Sequence, residues 1–307
     1  MMQGKYTDQD RHAGQLEKIL QPLYYSGTAW RVWDDFLEMV WIALRSLPDH
    51  LKSAMGNGQL AEDSPEIQQK FAEWTEKYKQ KGMERFSEGF AILLNSAAEG
   101  YGDVLGATYE LMSMANKWAG QYFTPLPICA MMAKMNDPMP MVHERLKEAL
   151  THPDNIAGQA LLLASMCLQN EEDPEVSQDY LLQKVLPAAL PYYEPVTVCD
   201  PALGSGRMLI VMAAECDRWA VENGLIEFSG QDIDERCVQM AKINFVLHGM
   251  VSWSSSATGS KLIKARGEIS SQPPGLPLLD VPTIQKEPCL QTRGLPLFNL
   301  APTKKEA

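Results

Sequence analysis

The stretch Val196 to Gly206, VTVCDPALGSG, constrains this chain more than any other. A short β-branched run ends at Asp200-Pro201, a glycine turn follows, and an apolar helix begins near Met208. Branched residues suit a strand, and the Asp-Pro corner ends it. In an open α/β sheet, ligands bind at the carboxyl edge of the strands, which is where Asp200 and the turn would stand. Glycines let a ligand approach the backbone, and the helix start offers free N–H groups. A GxG pair alone is weak. DPxxGSG between a strand and a helix is far more specific, because both flanks agree with the turn.

A second strand is predicted at Ile226 to Ser229, followed by Gly230-Gln231-Asp232-Ile233-Asp234. An acidic residue at that strand end can accept hydrogen bonds from both hydroxyls of a ribose, and Asp232 is assigned this role. It stands 26 positions after Gly206, somewhat beyond the roughly 20 of dinucleotide folds. Asp234, directly before the predicted helix Glu235 to Leu247, reads as a helix cap.

Everything upstream reads as helical. Gly14 to Leu23 and Thr28 to Leu47 have apolar residues three and four apart, and the stripe of Trp30, Trp33, Phe36 and Trp41 reads as core. Residues 48–64 read as a connection, followed by helices at Gln68 to Lys81 and Met83 to Ala97. Another helix is predicted within Tyr101 to Met112. Thr124-Pro125 is a hydroxyl cap with a proline behind it. The helix it opens has Ile128, Met131, Met132 and Met135 on one face, which predicts gap-filling core. Helices continue to Leu190, interrupted by the acidic loop Glu171 to Pro174.

Net charge bears on partners. The chain has 27 Lys and Arg against 39 Asp and Glu, a formal charge of −12, and only residues 251–307 are net basic. An acidic body does not bind DNA by bulk charge, since phosphate neutralisation needs clustered cations. Any action on DNA therefore calls for a local patch or a partner. The six cysteines are scattered with no CxxC pair, so no zinc site is predicted. The polar N-terminus and the lack of a spanning apolar run predict no membrane segment and a soluble, cytoplasmic protein.

Taken together, Gly120-Gln-Tyr-Phe-Thr-Pro125, then CDPALGSGRMLI, then SGQDID followed by AKINFVLHG, resemble the adenine-specific N6 DNA methyltransferases. The likeness is greatest to the modification subunits of type I restriction systems and related phage or plasmid methylases. It spans roughly residues 100–250 and extends to DVLGATYELM before the first motif. The resemblance implies S-adenosylmethionine as cofactor. It sets Phe123, Thr124 and Pro125 by the methionine end, Asp200, Gly204 and Gly206 around the amino-acid portion, and Asp232 on the ribose. It also implies DNA as substrate, and an N-terminal helical region that docks a specificity subunit. Arg207, standing where a small residue would favour a pyrophosphate, argues against NAD.

The catalytic motif of that family, Asn/Asp-Pro-Pro-Tyr/Phe, is absent from all 307 residues. Its chemistry needs acceptors for the N6 amino group of an adenine drawn out of the stack, and a ring to stack on it. Gln272-Pro273-Pro274-Gly275 supplies neither the Asn nor the ring. After Gly249 only 58 residues remain, rich in proline and glycine, and they read as irregular. The expected organisation is α/β: a helical region at 1–98, a Rossmann-like methyltransferase domain with an incomplete sheet at 99–250, and an irregular tail at 251–307. Three functional readings follow: an adenine methyltransferase completed by another chain, a non-catalytic relative that binds cofactor or partner, and a truncated gene product.

Overall fold

The computed structural model describes residues 5–57, 63–113, 123–167 and 180–250, and the backbone of 253–258 and 260–265. Helix α1 (Gln9–Leu20) starts at Asp8, whose carboxylate accepts from the Arg11 amide. A 3-10 turn (Gln21–Ser26) leads to α2 (Ala29–Asn57). The helix passes Pro48, where the sequence predicts a connection. Trp33, Phe36, Leu37, Val40 and Leu44 anchor its buried face, and one missing ladder N–H does not outweigh that anchoring. Helix α3 (Pro65–Glu99) leaves helical geometry at Lys79 (φ 59°, ψ 174°), close to the predicted break between two helices.

Next come α4 (Val104–Leu111), α5 (Leu126–Met135), α6 (Met139–Thr151) and α7 (Ile156–Cys167). A π turn (Leu181–Val185) runs into α8 (Leu186–Ala189), and a 3-10 turn leads to β1 (Val196–Asp200). Helices α9 (Arg207–Glu215) and α10 (Arg218–Glu222) form the crossover to β2 (Ile226–Asp232), which parallel pairing requires. Helix α11 (Glu235–Leu247) follows, then β3 (Trp253–Thr258) and β4 (Ser260–Ala265).

The sheet order is β1-β2-β4-β3. Strands β1 and β2 are parallel, with Val196 opposite Ile226 and Asp200 opposite Gly230. Strand β4 runs antiparallel to both β2 and β3. The described residues are thus mostly helical around a small sheet with one parallel pair. Two differences from the sequence reading share one cause. The second strand runs on to Asp232, and residues 253–258 and 260–265 pair as two antiparallel strands, inside the stretch read as irregular. Ser229 to Asp232 pair with Lys264 to Lys261, so β4 satisfies backbone groups that β2 would otherwise leave unpaired. The Ser-rich run Trp253–Thr258 gives no apolar alternation that would announce a strand. Gln272 to Gly275 lie outside the described residues, as do the acidic loop Glu171 to Pro174 and Gly120 to Tyr122.

Two cores meet on α11. Val238, Ala241 and Phe245 pack with β1, β2, α5, α6 and α9. Cys237, Met240 and Ile243 pack with α1, α2, α3 and α4. Arg236 adds a bidentate pair to Asp34 (2.6 and 3.0 Å) and lies over the Trp30 ring at 4.9 Å. The N-terminal helices are therefore built onto the helix that follows Asp232. Helix α4 and Phe123, both past residue 98, belong to the core of those helices.

The methionine face of α5 is a correction. Ile128, Met131, Met132 and Met135 are exposed, and Cys129 and Ala133 are buried. These two small residues let α5 approach the neighbouring core closely, which turns the long side chains outward. Among the described residues, no helix is long and apolar enough to cross a membrane.

Candidate cofactor site

Strand β1 delivers Asp200 to its carboxyl end, where the carboxylate accepts from the Ala202 amide at 2.9 Å and closes the Asp-Pro corner. Gly204 (φ +55°) and Gly206 (φ +87°) take left-handed backbone, so the turn can reverse before α9. A Cβ on Gly206 would lie 2.8 Å from the Phe245 ring, and one on Gly204 would lie 3.0 Å from Phe123.

The amide of Gly204 donates to Asp232 Oδ2 at 2.8 Å. The other oxygen of Asp232 accepts from the Asp234 amide, also at 2.8 Å. Asp234 caps α11, as its position predicts, accepting from Arg236 N–H. Asp232 thus sits beside the glycine turn, half-buried, and each of its oxygens keeps a lone pair for a further donor. Next to it Ile233 is 93% exposed, an apolar side chain at the strand end that the sequence reading left without a role.

Two further turn amides also face inward. Leu203 N–H donates to the Gln231 carbonyl, and Gly206 N–H to the Leu203 carbonyl, each at 2.9 Å. With Ala202 and Gly204 satisfied by carboxylates, four N–H groups of this turn are committed within the protein. A phosphate cradle needs such groups free and convergent.

Phe123 is buried against Gly204, edge-to-face with Tyr109 at 6.1 Å, with the Arg207 guanidinium 5.3 Å from its centroid. Thr124 is exposed and does not cap α5. The N-cap is Pro125, and Pro127 stands in the first turn. The Thr124 carbonyl accepts from Arg207 Nη1 at 3.3 Å. Phe123, Pro125, Glu110 and Arg207 line a cleft of about 540 Å³ together with Thr7 to Asp10 at the start of α1. Asp200, Gly204 and Asp232 stand outside that lining.

Behind the turn lies a polar network that the sequence reading missed. Asp103, the N-cap of α4, is fully buried and accepts from Ser205 Oγ (2.5 Å), Arg207 Nε (2.9 Å), Asn244 Nδ2 (2.9 Å) and the Gly106 amide (2.8 Å). Arg207 also pairs with Glu110 at 2.8 Å. Burial works against the Arg207 charge, and Asp103 and Glu110 outweigh it, so its pKa is raised. The sequence reading sets Asp103 within the helix predicted at Tyr101 to Met112 and gives it no role, and its meeting with Ser205, 102 positions later, is not legible there. Among the described residues, no group of three or more His, Cys, Asp or Glu could hold a metal ion.

Residues 181–264 match the family model described as N-6 DNA Methylase. A putative type II restriction enzyme and methyltransferase of Methanocaldococcus jannaschii is 28% identical over 167 residues. That alignment covers 47% of this chain and 14% of the relative, so the chain spans only a small part of that protein. No solved structure matches significantly. Strand β1, the glycine turn, β2 and α11 all lie within the matched segment, so it is this part of the chain that is similar to the N-6 DNA methylases.

Proposed function

We propose that the turn between β1 and α9 holds S-adenosylmethionine for methyl transfer to the N6 amino group of a flipped-out adenine in DNA. The observation that carries the reading is the inward commitment of four turn amides, those of Ala202, Leu203, Gly204 and Gly206, at a rim of carboxylates. That rim disfavours a pyrophosphate and suits a nucleoside bearing positive charge. The family match of residues 181–264 agrees with it. When bound, the cofactor supplies a methyl group on a cationic sulfur.

The roles proposed for the chain are these. Asp232 accepts from the ribose hydroxyls with its remaining lone pairs. Ile233, exposed beside it, offers an apolar face to the base, whose cover would remove that surface from water. Asp200 and the backbone at Gly204 and Gly206 border the amino-acid portion. Phe123, Thr124 and Pro125 close the methionine end. The parallel pair with its DPxxGSG corner is read as the first part of a Rossmann-like sheet.

Acceptors for the adenine amino group are proposed to come from another chain. Among the described residues β1 pairs only with β2. A strand added in parallel on its free side would bring its own carboxyl end beside Asp200. Such a partner would also supply cations for DNA, which this acidic chain lacks in bulk. The absence of Asn/Asp-Pro-Pro-Tyr/Phe favours one second reading, a non-catalytic relative that binds cofactor or partner.

Calorimetric titration with S-adenosylmethionine tests the site. Heat of binding is expected, and none from the folded chain would sink the enzyme and the cofactor-binding relative alike, leaving only a relative that binds a partner. Transfer of tritiated methyl to unmethylated DNA, with and without neighbouring operon products, then separates them. Incorporation at adenine N6 supports the enzyme, and its absence under both conditions supports the non-catalytic relative.

A further inference from the structure

The glycine turn is held from behind by a residue of a different part of the chain. Asp103 stands at the start of α4, and its backbone N–H donates to Gln9 of α1 at 3.1 Å. Its carboxylate has no exposed surface. Four donors converge on it, and two of them, Ser205 and Arg207, flank Gly206. Asn244 of α11 bridges the same group, donating to Asp103 and to the Ser205 carbonyl, each at 2.9 Å. A buried carboxylate is costly unless fully bonded, and this one is bonded on every side.

Space around it is equally committed. A Cβ on Gly106 would lie 2.1 Å from Asp103 Oδ2 and 2.3 Å from Ser205 Oγ. The first turn of α4 thus admits only a hydrogen where the carboxylate and the hydroxyl meet.

We propose that Asp103 is a positioning residue for the methyl-donor turn. Through Ser205 and Arg207 it fixes the backbone on both sides of Gly206. Through Gln9 it ties that backbone to the N-terminal helices. The inference rests on the donor-site reading above for its functional meaning, but the brace itself is testable without ligand.

The test uses the full chain and the variants Asp103→Asn and Ser205→Ala. Asp103→Asn keeps the shape and removes the charge that Arg207, Ser205 and Asn244 converge on. Ser205→Ala removes one hydroxyl and leaves the Asp103–Arg207 pair, so it serves if Asp103→Asn fails to fold. Amide hydrogen exchange at residues 203–207 is expected to rise roughly tenfold or more in either variant, with α6 (Met139–Thr151) unchanged. S-adenosylmethionine affinity is expected to fall roughly tenfold or more.

Unchanged exchange in the turn, or a rise spread evenly over the chain, would overturn the brace. Local exchange that rises while affinity holds would overturn its role in positioning. If the wild-type chain gives no heat with S-adenosylmethionine while exchange in the turn responds, the brace stands and the donor-site reading fails.

Discussion

The Gly204 amide donates to Asp232 Oδ2 at 2.8 Å, so the glycine turn after β1 and the acid ending β2 are one unit before any ligand arrives. Asp232→Asn keeps the size of the side chain but turns one acceptor into a donor facing an N–H. A hydrogen bond to a charged group is worth about 1.5–3 kcal/mol. S-adenosylmethionine affinity should fall by roughly 10- to 100-fold, read by calorimetry against the wild type. Equal affinity would remove Asp232 from the proposed site.

Gly206→Ala tests the turn itself. An L-residue in the left-handed region costs about 1–2 kcal/mol. The new methyl would also meet Phe245 at 2.8 Å. Urea unfolding should show a loss of roughly 1–3 kcal/mol with little change in slope. A variant as stable as the wild type would contradict the positive φ at this position.

Acid should loosen the joint between α1 and α3. The Glu99 carboxylate bonds first with His12 and then with Arg11, at 2.9 and 2.6 Å, and its pKa falls to about 2 from the ordinary 4.5. A carboxylate with a depressed folded-state pKa stabilises above its unfolded value and loses that contribution as pH drops. The melting temperature should therefore decline between about pH 4.5 and pH 2. Glu99→Gln should flatten the decline in that window, and an identical pH profile would discount the contact.

Thiol reactivity should sort by burial. Burial pushes Cys129 up to about 11 and Cys216 up to about 12, and Cys237 is fully buried. Cys199 is exposed at the end of β1. The thiolate is the reactive form. Among these four, mass-mapped alkylation at pH 8 should label Cys199 first, and prior labelling of Cys129 or Cys216 would argue against their packing.

The exposed face of α5 should tolerate charge. Met135 is 76% exposed, so Met135→Lys should change unfolding free energy by less than about 0.5 kcal/mol. A larger loss in urea unfolding would mean the face is covered.

The local devices of the site are written in consecutive residues. Asp200-Pro201, the two glycines with positive φ, Asp232 at a strand end and Asp234 as a cap are short-range chemistry, because each depends on neighbours within a few positions. The family resemblance rests on these same runs. What tertiary structure alone decides is how distant runs meet. The sequence gives Asp103 no role within its predicted helix, but burial against Ser205 and Arg207 makes it the brace of the turn. Periodicity marks Met131 and Met135 as an apolar face, yet small Cys129 and Ala133 take the inner side of α5. The Ser-rich run at 253–258 lacks a strand pattern and becomes one in an antiparallel pair whose other strand meets the open edge of β2. Periodicity records which faces are apolar, whereas the partner for each face or edge is set by close packing and by the need to satisfy every buried polar group.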